Sequence, residues 1–239
     1  MLRNPSILVL VLVLLTACTH PGSPPITTSE IWQIQFSPAT AHFGPFLNRC
    51  TNTLDSVALL SFEIPAQALS LQEADFVLRW GPPPLKNSAA SVIKEDSLVM
   101  VVHPDNPIQK LDHNQLMNLY INNTSKMTDM DFSGEIQPWA YPDGSDVGTV
   151  FLTYLFTQRL TNPSIKIAPD PAALAQIISQ QPRAIGPIPL SLVTDAVRII
   201  PILGLPDNVG RVPVLLMTNP PMSDTQLKWI KCLQESLNR

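Results

Sequence analysis

The sequence predicts a two-lobed α/β protein, each lobe a mostly parallel sheet flanked by helices. Three observations predict it. Short runs that are apolar throughout, such as residues 57–62 (VALLSF) and 97–102 (SLVMVV), read as strands covered on both faces. These runs alternate with stretches of helical period, the order of βαβ units. The alternation falls into two batches of roughly a hundred residues each, one lobe apiece.

The elements follow in order. Residues 31–36 (IWQIQF) read as a strand, followed by a helix with Phe43, Phe46 and Leu47 on one side that ends near Cys50. After the strand at 57–62 comes a short helical piece around Pro65–Leu71. Residues 75–79 (DFVLR) form a strand closed by Gly81-Pro82-Pro83-Pro84, which neither helix nor strand survives. Beyond the strand at 97–102, Asp112 is an N-cap with Gln115 three residues on, a capping box for a helix through Leu116, Leu119 and Tyr120. Residues 136–140 (IQPWA) are a strand whose Pro138 suits an edge or a strand end. A helix spans Val147–Leu160 and a strand 165–168. Asp170 then caps a helix that carries Pro171 at its first position and runs over Ala172–Gln181. Strands at 184–188, 197–203 and 212–217 precede a last helix capped by Ser223 with Gln226.

Composition narrows the function. Of 239 residues 45% are hydrophobic, ample for a core, and only 14% are charged. Prolines number 25 against 9 glycines, which predicts many stiff turns. The formal charge is −4 and no Lys/Arg run occurs, so no basic face is available to neutralise nucleic-acid phosphates. No apolar stretch reaches the length of a membrane span. The four histidines are scattered without ligand spacing, so neither a metal nor any other cofactor is expected. Asp129 and Asp131 read as a solvated turn. Gly144-Ser145-Asp146-Val147-Gly148 has the wrong spacing for a nucleophile elbow. No enzyme is expected.

The N-terminus reads as an address. Arg3 precedes an apolar run from Ile7 to Leu15, too short to span a membrane, and Leu15-Thr16-Ala17-Cys18 resembles the bacterial lipobox. On this reading residues 1–17 are a lipoprotein signal peptide and Cys18 is lipidated; an ordinary secretory signal is the alternative. Several acyl chains give stable anchoring where one is marginal. Loss of Arg3 takes the charge to −5. Thr19–Thr28 (THPGSPPITT) is a tether with a reach of about 30 Å. An exported compartment permits a Cys50–Cys232 disulfide, worth about 4–5 kcal/mol in the chain-entropy model. Two free buried thiols are the other possibility.

Polar loops at the carboxyl ends of strands are where open α/β sheets bind ligands. Three stand out: Ser37-Pro38-Ala39-Thr40; Arg79-Trp80; and Asp143 to Thr149. Hydroxyls and backbone N–H groups at a helix start suit an anion. Each also has a plain structural use: Ser37, Thr40, Ser145 and Asp146 as caps, Arg79 as an ion-pair partner.

Several segments, in order, resemble the phosphate-type (type II) periplasmic solute-binding proteins of ABC importers. Ser97–His103 with Pro104-Asp105-Asn106-Pro107 resembles their crossing segment, and Leu111–Tyr120 their "L-T-x-x-Q-L-x-x-I-F" helix. Ile136–Thr149 resembles their strand and "R-x-x-G-S-G-T" ligand loop, Ala184–Ile188 their "A-I-G-Y-V" strand, and Arg211–Val214 their return strand. The resemblance implies lobe 1 over 28–103 and 196–239, lobe 2 over 104–195, and a hinge of two crossing segments, with Cys50 and Cys232 in one lobe. Together with the strand-end loops it points to a ligand site at Ser37, Thr40, Arg79, Ser145, Gly148 and Thr149, with Trp80 and Tyr141 as walls. The loop departs from the pattern: Tyr141 replaces the Arg, Asp146 and Val147 interrupt Ser145 and Gly148-Thr149, and Val150 follows the Thr. Arg79 is then the main cationic contact for an oxyanion. Asp146 could accept a proton from a protonated oxyanion or bind a cationic or hydroxylated ligand.

The expectation is an exported, membrane-anchored, monomeric lipoprotein that captures phosphate, another oxyanion or a similar small polar ligand for an ABC permease. The alternative is a sensor or protein-interaction module of the same fold without transport, partnered by a membrane sensor. An exported hydrolase using Ser145 is a third reading.

Overall fold

The computed structural model describes residues 29–82, 89–122, 135–156, 159–205 and 210–238. The leader, Cys18, the tether, and Asp129 with Asp131 lie outside these. Strand β1 (Glu30–Phe36) leads through a 3-10 turn (Pro38–Phe43) into helix α1 (Gly44–Thr51). There follow β2 (Val57–Glu63), a short turn at Ala66–Ala68, β3 (Phe76–Trp80) and the long β4 (Ala89–Val102). Next come β5 (Leu111–Asp112), α2 (His113–Tyr120), β6 (Gln137–Ala140), α3 (Asp146–Leu155), β7 (Lys166–Ile167), α4 (Pro171–Gln180) and β8 (Ala184–Pro189). The chain closes with β9 (Arg198–Ile200), β10 (Ile202–Leu203), β11 (Arg211–Thr218) and α5 (Asp224–Leu237).

Nine strands form one mixed sheet in the order β2-β1-β3-β11-β4-β8-β6-β7, with β9 also on β4. β1, β2 and β3 are mutually parallel, as are β6, β7 and β8. β4 and β11 run antiparallel to their neighbours in the middle and join the two parallel groups. Residues 89–97 of β4 pair with β11; residues 98–102 pair with β8, with β9 on the other edge. The apolar run 97–102 therefore marks only the second half of this strand. Its first half alternates buried and exposed positions and carries Lys94 and Glu95, which hides it from a search for continuous apolar runs. β9 and β10 pair with β4 and β5 respectively.

Local signals set the helix starts. Asp112 and Ser223 each form a complete capping box with Gln115 and Gln226, and Asp170 accepts the Ala173 N–H ahead of Pro171. α3 ends at Leu155 because Phe156 turns to extended backbone, so the helix is shorter than its apolar stretch suggests. β2 departs from the double-sided burial expected of an apolar run. It is the edge strand: Val57 and Leu59 turn to the core, while Leu60 and Phe62 are each 46% exposed on the opposite face. Pro138 lies at the start of β6, which is interior; it costs no ladder bond to β7, whose two residues pair only with Trp139 and Ala140.

The larger core is built on Trp32, Phe76 and Trp229, whose rings meet at 4.8–5.6 Å, and runs to Leu174 and Ile178 on α4. A second core gathers Tyr120, Phe151 and Phe156. Cys50 on α1 and Cys232 on α5 are joined by a disulfide with Cα atoms 5.8 Å apart. Among the described residues no helix is long and apolar enough to cross a membrane, and no group of three or more His, Cys, Asp or Glu is placed to hold a metal ion.

Candidate functional site

The loops after β1, β2, β6 and β7 converge at the carboxyl ends of the two parallel groups. They enclose a cavity of about 210 Å³ lined by residues within 37–39, 65–67, 141–147 and 169–171. This is the place where a parallel sheet offers a crevice between loops. Five prolines (Pro38, Pro65, Pro142, Pro169, Pro171) make much of its wall. Their fixed φ stiffens the wall and removes backbone donors.

Beside the cavity, α3 presents Asp146 at its first position, and β3 presents Arg79. Asp146 Oδ1 accepts from Arg79 Nη2 at 2.8 Å, and Oδ2 accepts from the backbone N–H of Trp80 at 3.2 Å. The Ser37 hydroxyl lies near the same carboxylate and favours its charged form. The pair is deeply buried, with side-chain exposures of 12% for Arg79 and 1% for Asp146. Burial pushes the Asp146 carboxyl above its ordinary range; Arg79, Ser37 and the Trp80 N–H pull the other way without overcoming it. Arg79 Nε is also buried and has no hydrogen-bond partner among the described residues.

The structure thus gathers Ser37, Arg79 and Asp146 into one polar cluster, with Tyr141 and Ser145 on the cavity wall. Thr40 is buried, but its hydroxyl donates to the Ser37 carbonyl at 2.9 Å and reaches the Leu78 carbonyl at 3.4 Å. It ties the 3-10 turn to β3 and is not free to meet a ligand. Trp80 contributes its backbone N–H only. Its ring lies fully in the core, where Nε1 donates to Asp96 Oδ2 at 3.0 Å, because side chains alternate across the sheet from Arg79 to Trp80. It does not form a wall of the cavity. The buried Tyr141 donates its hydroxyl to the Pro187 carbonyl at 2.6 Å, and burial first, then Tyr120 and Asp170, hold its phenol well above the ordinary value.

Ser145 is the N-cap of α3 and accepts from the Gly148 N–H at 3.1 Å. A Cβ at Gly148 would stand 2.6 Å from that Oγ, so only glycine lets this cap close. Gly148 borders a neighbouring cavity rather than this one. Thr149 is exposed and lines neither.

Sequence reading singled out both Arg79 and Asp146 but not their pairing, which spans 67 residues and carries no local signal. It also passed over Asp96, a charged residue in an alternating strand. Asp96 is buried and accepts from Trp80 Nε1, the Ser191 hydroxyl at 2.6 Å and the Ser191 N–H. The proline clusters were legible as turns but not as one wall.

No protein-family model and no curated protein matches this sequence. Solved structures do match. A protein described as a phosphate ABC transporter substrate-binding protein from Clostridium perfringens, with phosphate bound, superposes with a TM-score of 0.71 at 16% identity, over 85% of this chain and 93% of that one. An ABC-type phosphate transport receptor from Vibrio cholerae gives 0.65 at 16% identity, over 85% and 93%. A sulfate-bound mutant regulatory domain of OxyR2 from Vibrio vulnificus gives 0.62 at 16% identity, over 90% and 100%. The chain has the type II periplasmic-binding-protein fold. At these identities the likeness is one of fold. These neighbours are binding proteins and regulatory domains. In this fold the cavity lies between the two parallel groups, each of which supplies two of its loops.

Proposed function

We propose that the protein is an extracytoplasmic solute-binding lipoprotein. Cys18 anchors it to the membrane surface, the Thr19–Thr28 tether holds it clear of the headgroups, and it delivers a small polar solute to an ABC permease as a monomer. The lobes would comprise 28–103 with 196–239, and 104–195, closing on the solute about two crossing segments. The observation that carries the reading is the cavity itself, built from the loops after four parallel strands of both groups in a fold shared with phosphate-binding receptors. The oxyanion part of the expectation is weakened by Asp146, because Arg79, the cation expected to meet it, already holds a carboxylate.

A second reading is a sensing or protein-interaction module that keeps the fold without transport. The internally paired Arg79 and the likeness to OxyR regulatory domains favour it. A thermal-shift screen of the soluble chain from Thr19 onward, which contains every described element, separates the two. A solute at a hundred times its Kd adds about 2.7 kcal/mol, a shift of several degrees. Such a shift with one small solute supports capture. A flat screen across oxyanions, amino acids, sugars and amines moves the assignment to the interaction module.

A further inference from the structure

We infer that Asp146 is a tethered anion seated in an anion receptor built by the protein, and that it closes the cleft to free oxyanions. The receptor has two donors at the end of β3: Arg79 Nη2 and the Trp80 backbone N–H. They address both oxygens of one carboxylate, which itself stands at the first position of α3. Charge-assisted donors converging at a helix start are how proteins hold phosphate or sulfate. Here the anion is a side chain.

The fit is that of a substitute. The edge of a guanidinium formed by Nε and Nη2 is a fork that holds two oxygens of one oxyanion. Asp146 uses only the Nη2 tine, and Nε beside it is buried without a partner among the described residues. A carboxylate held by its own helix cannot swing to take both tines and the Trp80 N–H together. A free tetrahedral oxyanion has oxygens enough for all of them.

The charge of the cavity agrees. Among its lining residues the acids are Asp146 and Asp170, and none is Lys or Arg. A dianion entering it would meet carboxylates, with the adjacent Arg79 guanidinium already paired. Resting on the solute-binding reading, the cargo is accordingly a neutral or cationic solute, and Asp146 is the residue that sets its charge.

The test measures sulfate and phosphate binding by calorimetry and thermal shift, against chloride at matched ionic strength. It compares the mature protein with Asp146→Ala, Asp146→Asn and the Asp146→Ala/Arg79→Ala double variant. The wild type is expected to show no specific binding. Asp146→Ala is expected to bind sulfate at least about tenfold more tightly, the scale of one hydrogen bond to a charged group. The double variant is expected to lose that gain. If Asp146→Ala does not fold, the isosteric Asp146→Asn carries the comparison. Wild-type binding as tight as that of the variants overturns the inference, as does a folded variant that gains nothing. Should the wild type bind no solute of any charge while Asp146→Ala gains sulfate, the tethered anion stands and the transport reading falls.

Discussion

Breaking the Arg79–Asp146 pair and removing it whole should have opposite consequences. The two side chains are 12% and 1% exposed and meet at 2.8 Å. At charge centres about 4 Å apart and an effective dielectric near 20, their attraction is about 4 kcal/mol. Against it stands the cost of taking both ions out of water. That cost is large here: burial raises the Asp146 carboxyl despite Arg79 and the Trp80 N–H. Arg79→Met alone leaves a buried carboxylate, and Asp146→Leu alone leaves a buried guanidinium. Each should lose about 3 kcal/mol, the low end for a stranded buried charge, because the Trp80 N–H still serves the carboxylate and Arg79 keeps slight solvent access. The double variant should lie within about 1 kcal/mol of the wild type, or above it. Urea unfolding of the four proteins at a common slope gives the cycle. Single losses below about 1 kcal/mol that add in the double variant would refute the reasoning and class the pair with screened surface bridges. The pH dependence has a definite sign. A carboxyl raised in the folded state gives its full stability below its ordinary value of 3.8 and loses it as pH rises through the raised value. Asp146→Asn should remove that slope.

Two further outcomes follow from the architecture. The Cys50–Cys232 bridge closes a loop of 182 residues, worth roughly 5 kcal/mol in the chain-entropy model, so Cys50→Ala/Cys232→Ala should lower Tm by about 10–20 °C by calorimetry; a drop of a degree or two would show that the unfolded chain is not what the bridge constrains. His42 has both ring nitrogens buried without partners among the described residues, and burial lowers its pKa below 6.5, with Asp96 raising it less and Lys94 adding to the fall. Its contribution is present above pH 6.5 and is lost as pH falls toward the lowered folded value, so Tm should drop more steeply on acidification in the wild type than in His42→Phe; equal slopes would remove His42 from the account.

Much of the fold is legible in the chain because its signals are local. A capping box closes within four residues, as Asp112–Gln115 and Ser223–Gln226 do, and a Pro at the first helical position after Asp170 needs nothing beyond itself. The apolar runs mark strands because a covered strand cannot carry charge. The same rule misreads β2, where an apolar run lies at an open edge, and misses the first half of β4, where charge alternates outward. Periodicity says that a strand has one covered face or two; it does not say which neighbour covers it.

The candidate site divides the same way. Ser37, Arg79, Ser145 and Asp146 are legible as polar residues just past strand ends, which is where an α/β sheet opens. Their roles are not. Alternation across the sheet sends Trp80 inward to Asp96 while Arg79 turns to Asp146, and packing against β3 commits Thr40 to backbone carbonyls. The sequence by itself determined most of the strands, the capped helix starts, the α/β class and which polar residues stand at strand ends, since each follows from a few neighbouring residues. Only the tertiary structure decided the antiparallel placement of β4 and β11, the proline-walled cavity, and the seating of Asp146 on Arg79. Each of these brings together residues far apart in the chain, and only the order of strands in the sheet can do that.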